Sequence, residues 1–243
     1  TTLTRRWEGD YTNDFATRGA WTKMFKDEKH IPFDLTLGFH SDAGIAGADS
    51  TVGTLAIYTL RNERNRKFEQ GGRDRIVSRT LCDFVQSQIV ADIREDFEPE
   101  WTRRAIWDRS YSESRTSDTP AMILELLSHQ NYSDMKCGLD PAFRFTVSRA
   151  VYKGILKTLS EYYSCPYAVQ PLPVSELSAH LGKNGDKAIL KWQARPDPKE
   201  PTADPKSYLV YTRIDDGAFD TGRKVRKPSV EIPIEPGHIY SFK

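Results

Sequence analysis

From Phe33 to Phe39 the apolar residues Phe33, Leu35, Leu37 and Phe39 alternate with Asp34, Thr36 and Gly38. That period of two predicts a strand, with His40 at its C-terminal end. Before it, Phe15, Trp21, Met24 and Phe25 among charged residues suit an amphipathic helix from Asp10 to Phe25 opened by an Asn or Asp cap, and Lys26 to Lys29 read as loop. Ser41 to Ser50, rich in Ala, Gly and Asp, is expected as a loop, and Thr51 to Leu60 as a second strand. The charged run Arg61 to Arg75, with Gly71-Gly72, reads as an exposed loop because its signs are mixed. Leu81, Phe84, Val85, Ile89, Ile93 and Phe97 share one helical face, closed by Glu98-Pro99. Trp101 to Asp118 shows no clear period and is expected as a loop, leading into the buried strand Ala121-Met122-Ile123-Leu124 that ends on Glu125. Asp140-Pro141 then signals a helix start, continued by apolar residues to Leu159.

Alternation of strands and helices argues for an α/β fold, an open mixed sheet flanked by helices. After Tyr163 the pattern changes. Cys165-Pro166 and Pro171-Leu172-Pro173 mark a junction, and short β-patterned segments follow at 174–181, 187–194, 207–214 and 229–234, with 239–242 as a further strand. The expected organisation is an α/β domain over 1–167 and a second, smaller all-β sandwich domain over 168–243.

Composition narrows the functional classes. Lys and Arg number 35 against 34 Asp and Glu, a net charge of +1, so there is no electrostatic footprint for nucleic acid or an anionic membrane. No run of eighteen apolar residues predicts a transmembrane segment, and the first residues carry no apolar signal core. The three cysteines, Cys82, Cys137 and Cys165, are far apart and without C-x-x-C spacing. They read as buried free thiols.

Strands of an open α/β sheet deliver their C-terminal residues to the crevice where ligands bind, so His40 and Glu125 could meet there. A histidine at a strand end also serves as a structural hydrogen-bonding group, and a glutamate after four apolar residues as a paired buried acid; both alternatives stand on the residues alone. A carboxylate beside low-dielectric strands has its charged form disfavoured, which suits general acid–base work. Arg109 and Arg115 flank the serines of the segment 107–115 and read either as a fork for a substrate carboxylate or as an ion-paired loop. Trp101 and Trp107 read as buried packing or as stacking platforms for sugar rings.

Several segments carry a resemblance. Leu37-Gly38-Phe39-His40-Ser41-Asp42-Ala43, the strand Gly53-Thr54-Leu55-Ala56-Ile57-Tyr58, the helix Ser78 to Ile93, the strand Pro120-Ala121-Met122-Ile123-Leu124-Glu125 and the helix after Asp134 resemble, in order, the zinc-dependent N-acetylmuramoyl-L-alanine amidases. Asp10-Tyr11-Thr12-Asn13-Asp14-Phe15, the segment 107–115 and Glu125-Leu126-Leu127-Ser128-His129-Gln130-Asn131 resemble large secreted proteins of Bacteroides-type bacteria, some named xanthan lyase, in which a fibronectin type III-like module follows. The resemblance implies a zinc cofactor with His40 as a ligand, Glu125 as the catalytic proton carrier, and cleavage of the amide between a muramyl lactyl group and L-alanine.

The same resemblance implies a peptidoglycan or other polysaccharide partner and a secreted, periplasmic or cell-surface location. It places Asp42 where an Asn is common, able to orient His40 or to act as a further ligand, and it leaves His129 in a supporting or surface role. The family's Gly-His-Gly-Gly loop does not occur in this chain, so two of the usual zinc ligands are not identified and the first part of the fold is expected to be missing. Alternatives are a non-catalytic cell-wall or carbohydrate binding protein on the same fold, or a xanthan lyase-like enzyme in which Arg109 neutralises a uronate and Tyr111 is a candidate base.

Overall fold

The computed structural model describes residues 9–43, 50–67 and 73–243. The chain divides into two compact units, Thr1–Tyr167 and Ala168–Lys243. In the first, β1 (Thr36–Asp42), β2 (Thr54–Tyr58), β3 (Arg103–Asp108) and β4 (Ala121–Ser128) form one open sheet in the order β1-β4-β2-β3. The sheet is mixed: β1 runs parallel to β4 and β3 parallel to β2, while β2 and β4 pair antiparallel. Its two central strands are buried nearly throughout, which is why β4 reads as a continuous apolar run rather than an alternating one.

One face of this sheet carries the main core. Helices α2 (Val77–Asp96) and α5 (Pro141–Tyr163) bury Leu81, Val85, Ile89, Ile93, Phe143 and Val147 together with Met122, Leu124 and Leu126 of β4. The two helices approach closely at Gly154, where a Cβ would lie 2.6 Å from the Val85 Cα. Lys153 and Asp92 form a 2.8 Å ion pair between them, exposed by only 3% and 8%. Burial of this kind persists only where both charges are paired. Asp140 caps α5 by accepting the Ala142 N–H at 2.8 Å, with Pro141 in the first turn.

The opposite face is less covered. Leu55, Ile57 and Ile123 form a small cluster there. Helix α1 (Asp10–Lys29) and the short α3 (Ser112–Arg115) stand on that side, touching at Gly19, where a Cβ would fall within 1.9 Å of Thr116 Oγ1. A further short helix, α4 (Tyr132–Gly138), follows β4 and is opened by Asn131, whose side chain accepts the Asp134 N–H. Asp134, fully buried, accepts the backbone N–H groups of Val52, Gly53 and Ser128 and so ties the approach to β2 to the end of β4.

Several elements differ from expectation for identifiable reasons. Helix α1 continues through Lys29 to a left-handed His30, since lysines are good helix formers and favour the last turn. Its aromatic residues are not a buried stripe: only Gly19 is buried, and Tyr11 and Trp21 are 84% and 54% exposed. Trp101 to Asp118 holds β3 and α3 rather than loop alone; β3 lies at the sheet edge and carries charge there, which erases the apolar period. Arg75, expected in an exposed loop, is fully buried, and Cys165, expected buried, is exposed. Residues 44–49 of the loop expected after β1, and Gly71-Gly72, lie outside the described residues.

The second unit is all β. β5 (Ser175–Leu181), β6 (Lys187–Gln193) and β10 (Ser229–Pro233) form an antiparallel sheet in the order β10-β6-β5. Two ribbons accompany it, β7 (Tyr208–Val210) with β9 (Arg223–Val225) and β8 (Thr212–Ile214) with β11 (Tyr240–Phe242). Alternation along β6 buries Ala188, Leu190 and Trp192, which with Val210 make its core. Among the described residues no helix is long and apolar enough to cross a membrane.

Candidate functional site

In the parallel pairing of β1 with β4, His40 stands directly beside Glu125. Neighbouring strands lie about 4.8 Å apart and paired residues share a face, so both side chains emerge together on the less covered side of the sheet. Neither is a terminal strand residue: β1 runs two residues past His40 and β4 three past Glu125. A cavity of about 450 Å³ opens over them, its floor completed by Ile57 and Ile123 and its wall by Arg18, Glu113 and Arg115. On its other side in the sheet Glu125 is paired with the buried Leu55.

Glu113, on α3, reaches across to His40, with Oε2 2.9 Å from the ring Nε2. Its approach depends on Gly38, two residues before His40 on the same face; a Cβ there would lie 2.5 Å from Glu113 Oε1. Arg18 of α1 stands at the same carboxylate, Nη1 3.4 Å from Oε2, while its Nη2 pairs with Asp14 at 2.5 Å. Helix α3 is held from behind by the buried Arg75, which donates to the Thr59 carbonyl through Nε and Nη2 and to the Ser114 carbonyl at 2.9 Å. Thr59 and Ser114 also join hydroxyl to hydroxyl at 2.6 Å. A four-residue helix has little stability of its own, so these bonds place Glu113.

The electrostatics follow from this placement. The hydrogen bond to Glu113 raises the His40 pKa above its ordinary 6.5 against the effect of burial, and the charges of Glu113 and Glu125 add to the rise. Burial alone would raise the Glu113 carboxyl, but its bond and charge interaction with His40, together with Arg18, hold it below the ordinary 4.5. Glu125 moves the other way: burial raises its pKa, His40 and Arg104 oppose this, and Asp42 and Glu113 support it. Its Oε2 is buried without a hydrogen-bond partner. The site therefore sets a hydrogen-bonded histidine–glutamate pair, each member shifted toward its charged form, beside a carboxyl group that retains its proton to higher pH, an arrangement in which neighbours push two acids apart.

The remaining residues singled out in the sequence lie elsewhere. Asp42 pairs with Arg104 at 2.7 Å and accepts the Ala43 N–H, so it is braced by β3 rather than bonded to His40. His129 meets Ser41 Oγ through Nδ1 at 3.1 Å and does not line the cavity. Arg115 lines the cavity, whereas Arg109 lies over the Trp107 ring at 5.6 Å and donates to the Asp108 carbonyl. Trp101 is fully buried and donates to Thr54 Oγ1, a packing role. The sequence reading missed Glu113, Arg18 and Arg75. One signal pointed to Glu113: a glycine inside an alternating strand marks a place where another group approaches closely.

A catalytic zinc takes three protein ligands. Among the described residues no group of three His, Cys, Asp or Glu side chains is placed to hold a metal ion. His40 and Glu113 amount to two, and Arg18 brings a positive charge to the same carboxylate. The described residues do not by themselves fit the zinc that the resemblance implies.

No family model matches the sequence, and no curated protein matches it. Solved structures do. The N-acetylmuramoyl-L-alanine amidase from Clostridium difficile 630 matches with 17% identity over 58% of this chain, at a TM-score of 0.45. This chain spans 65% of that protein's length. The CwlD amidase from Clostridioides difficile, in complex with the GerS lipoprotein, matches with 13% identity over 66% of this chain and 72% of its own, at a TM-score of 0.46. The apo form of the amidase Ami1 from Mycobacterium abscessus matches with 18% identity over 57% and 61%, at 0.43. The structural neighbours of this chain are thus N-acetylmuramoyl-L-alanine amidases at low sequence identity.

Proposed function

We propose that the α/β unit is an amide hydrolase of the N-acetylmuramoyl-L-alanine amidase type, acting on peptidoglycan outside the cytoplasm. The observation that carries this reading is the pairing of His40 with Glu125 across β1 and β4 on the floor of a cavity, with one Glu125 oxygen buried and unpartnered. The sequence resemblance supplies the reaction class. Glu125, its proton affinity raised by burial, takes a proton from an attacking water and passes it to the leaving nitrogen. His40, whose hydrogen bond to Glu113 holds its proton to higher pH, donates beside the oxygen on which negative charge develops. Arg18 balances Glu113.

A second reading has a specific observation in its favour. The lack of a three-ligand set among the described residues suits a binding protein that retains the fold and grips cell-wall fragments without cutting them. Hydrolysis of purified muropeptides by the full chain, beside its Glu125→Gln and His40→Ala variants, separates the two. Loss of general acid–base catalysis lowers rates by about 10²–10⁴-fold, and Glu125→Gln is expected to fall in that range. Product release equal in the wild type and both variants, or none from any of them, rejects the hydrolase reading.

A further inference from the structure

The near balance of charge over the whole chain hides a local excess of cations on one face of the β unit. Residues 208–214 run through β7 and β8 with β9 on one side and β11 on the other: Thr212 bonds to Asp220 ahead of β9, whereas Tyr211 exchanges backbone hydrogen bonds with Lys243. Side chains alternate along this stretch. Tyr208 and Val210 belong to the core, so Leu209, Tyr211 and Arg213 face outward. Residues directly opposite in an antiparallel pair share a face, which sets Lys224 beside Leu209, Lys243 beside Tyr211 and Ser241 beside Arg213. Arg226 follows two residues beyond Lys224, and both are exposed.

Two of these cations are held in place by rings. Lys243 Nζ stands between two aromatic faces, 4.4 Å from the Phe219 centroid and 5.3 Å from that of Tyr211. The Arg213 guanidinium lies 5.2 Å over Phe219 and donates through Nη2 to Ser241 Oγ at 3.1 Å. Cation–π contacts of this kind order a side chain without cancelling its charge. The Tyr211 ring rests against Gly222, where a Cβ would lie 2.7 Å from its Cε1. None of Arg213, Lys224, Arg226 and Lys243 forms an ion pair among the described residues. Nearby carboxylates are engaged by the fold: Asp220 accepts the N–H groups of Thr212 and Gly222, and Asp215 accepts that of Ile239 and pairs with His238.

We propose that this face binds an acidic polysaccharide, its carboxylates against Lys224, Arg226, Arg213 and Lys243 and a sugar ring on Leu209 and Tyr211. Cations without counter-charge attract an anionic partner. Leu209, 53% exposed, and the Tyr211 ring set apolar surface among them, which the C–H face of a sugar covers and a bare chain of carboxylates or phosphates does not. The cations of β9 and β11 lie two strand spacings apart, about 10 Å, so a ligand with repeated acidic groups reaches both where a single carboxylate reaches one. The assignment stands whether or not the α/β unit is a hydrolase.

The test titrates the full chain calorimetrically at low ionic strength with hexagalacturonate, with its methyl ester, with poly-L-glutamate and with duplex DNA. Hexagalacturonate is expected to bind about tenfold tighter than each of the others, and to weaken as salt is raised. The double variant Lys224→Gln, Arg226→Gln loses about tenfold in affinity for it, whereas Lys224→Arg, Arg226→Lys, which keeps both charges, retains it. Both side chains are exposed and outside the His40–Glu125 cavity, so thermal unfolding is expected to be the same in all three proteins. Absence of hexagalacturonate binding, equal binding of the methyl ester, poly-L-glutamate or DNA bound as tightly, or an affinity indifferent to Lys224→Gln, Arg226→Gln would each overturn the proposal.

Discussion

Glu113 shifts the titration of His40 although the sequence segment 107–115 drew notice for its arginines and serines and not for this carboxylate. His40, with a raised pKa, contributes to stability fully below its ordinary 6.5, and loses that contribution as pH rises through its folded value. Glu113, with a lowered pKa, contributes above its ordinary 4.5 and loses it as pH falls through its own. The pair is therefore strongest between those two ordinary values. Glu113→Gln is expected to lower the His40 pKa in an NMR titration and to reduce the urea midpoint most within that window. Gly38→Ala should lower the same pKa by displacing Glu113, since the added Cβ would lie 2.5 Å from Glu113 Oε1 and 3.1 Å from His40 Nε2. An unchanged His40 titration in both variants would show that the contact is unimportant in solution.

At the level of elements, the frame around the site rests on buried polar ties as much as on apolar packing. Asp134 takes three backbone N–H groups at the junction of the approach to β2 with the end of β4. Each buried donor left unpaired costs about 1–3 kcal/mol, so Asp134→Ala is expected to destabilise the α/β unit by at least about 3 kcal/mol in urea unfolding. A loss below 1 kcal/mol would mean that water replaces the carboxylate. These ties also explain what could be read from the chain. β1, β2, β4, α2 and α5 announce themselves because each has an apolar face or an apolar run set against the main core. The edge strand β3 and the short α3 have neither. Arg75 looked like one charge among many, and only the fold reveals that it faces two carbonyls instead of solvent. His40 and Glu125 were legible because strand order in an open sheet constrains where such residues go; their partner Glu113 was not, because it arrives from another element.

On the scale of the whole molecule, the two compact units meet in sequence at Tyr167 and Ala168. Residues 161–168 are exposed along their length. Limited proteolysis is expected to cut within this stretch and to leave two resistant fragments, identifiable by mass. Digestion that consumes the whole chain without such fragments would argue against independent stability of the units.

The three thiols turn that organisation into a set of clocks. Cys165 lies in the exposed stretch, Cys137 is half-buried near the end of α4, and Cys82 is enclosed in the main core, where burial pushes its pKa far above the ordinary thiol range. Alkylation at neutral pH should therefore mark Cys165 within minutes, Cys137 later and Cys82 only when the sheet and α2 part. The rate at which a reagent reaches Cys82 thus measures how often the floor beneath His40 and Glu125 opens, with no substrate needed.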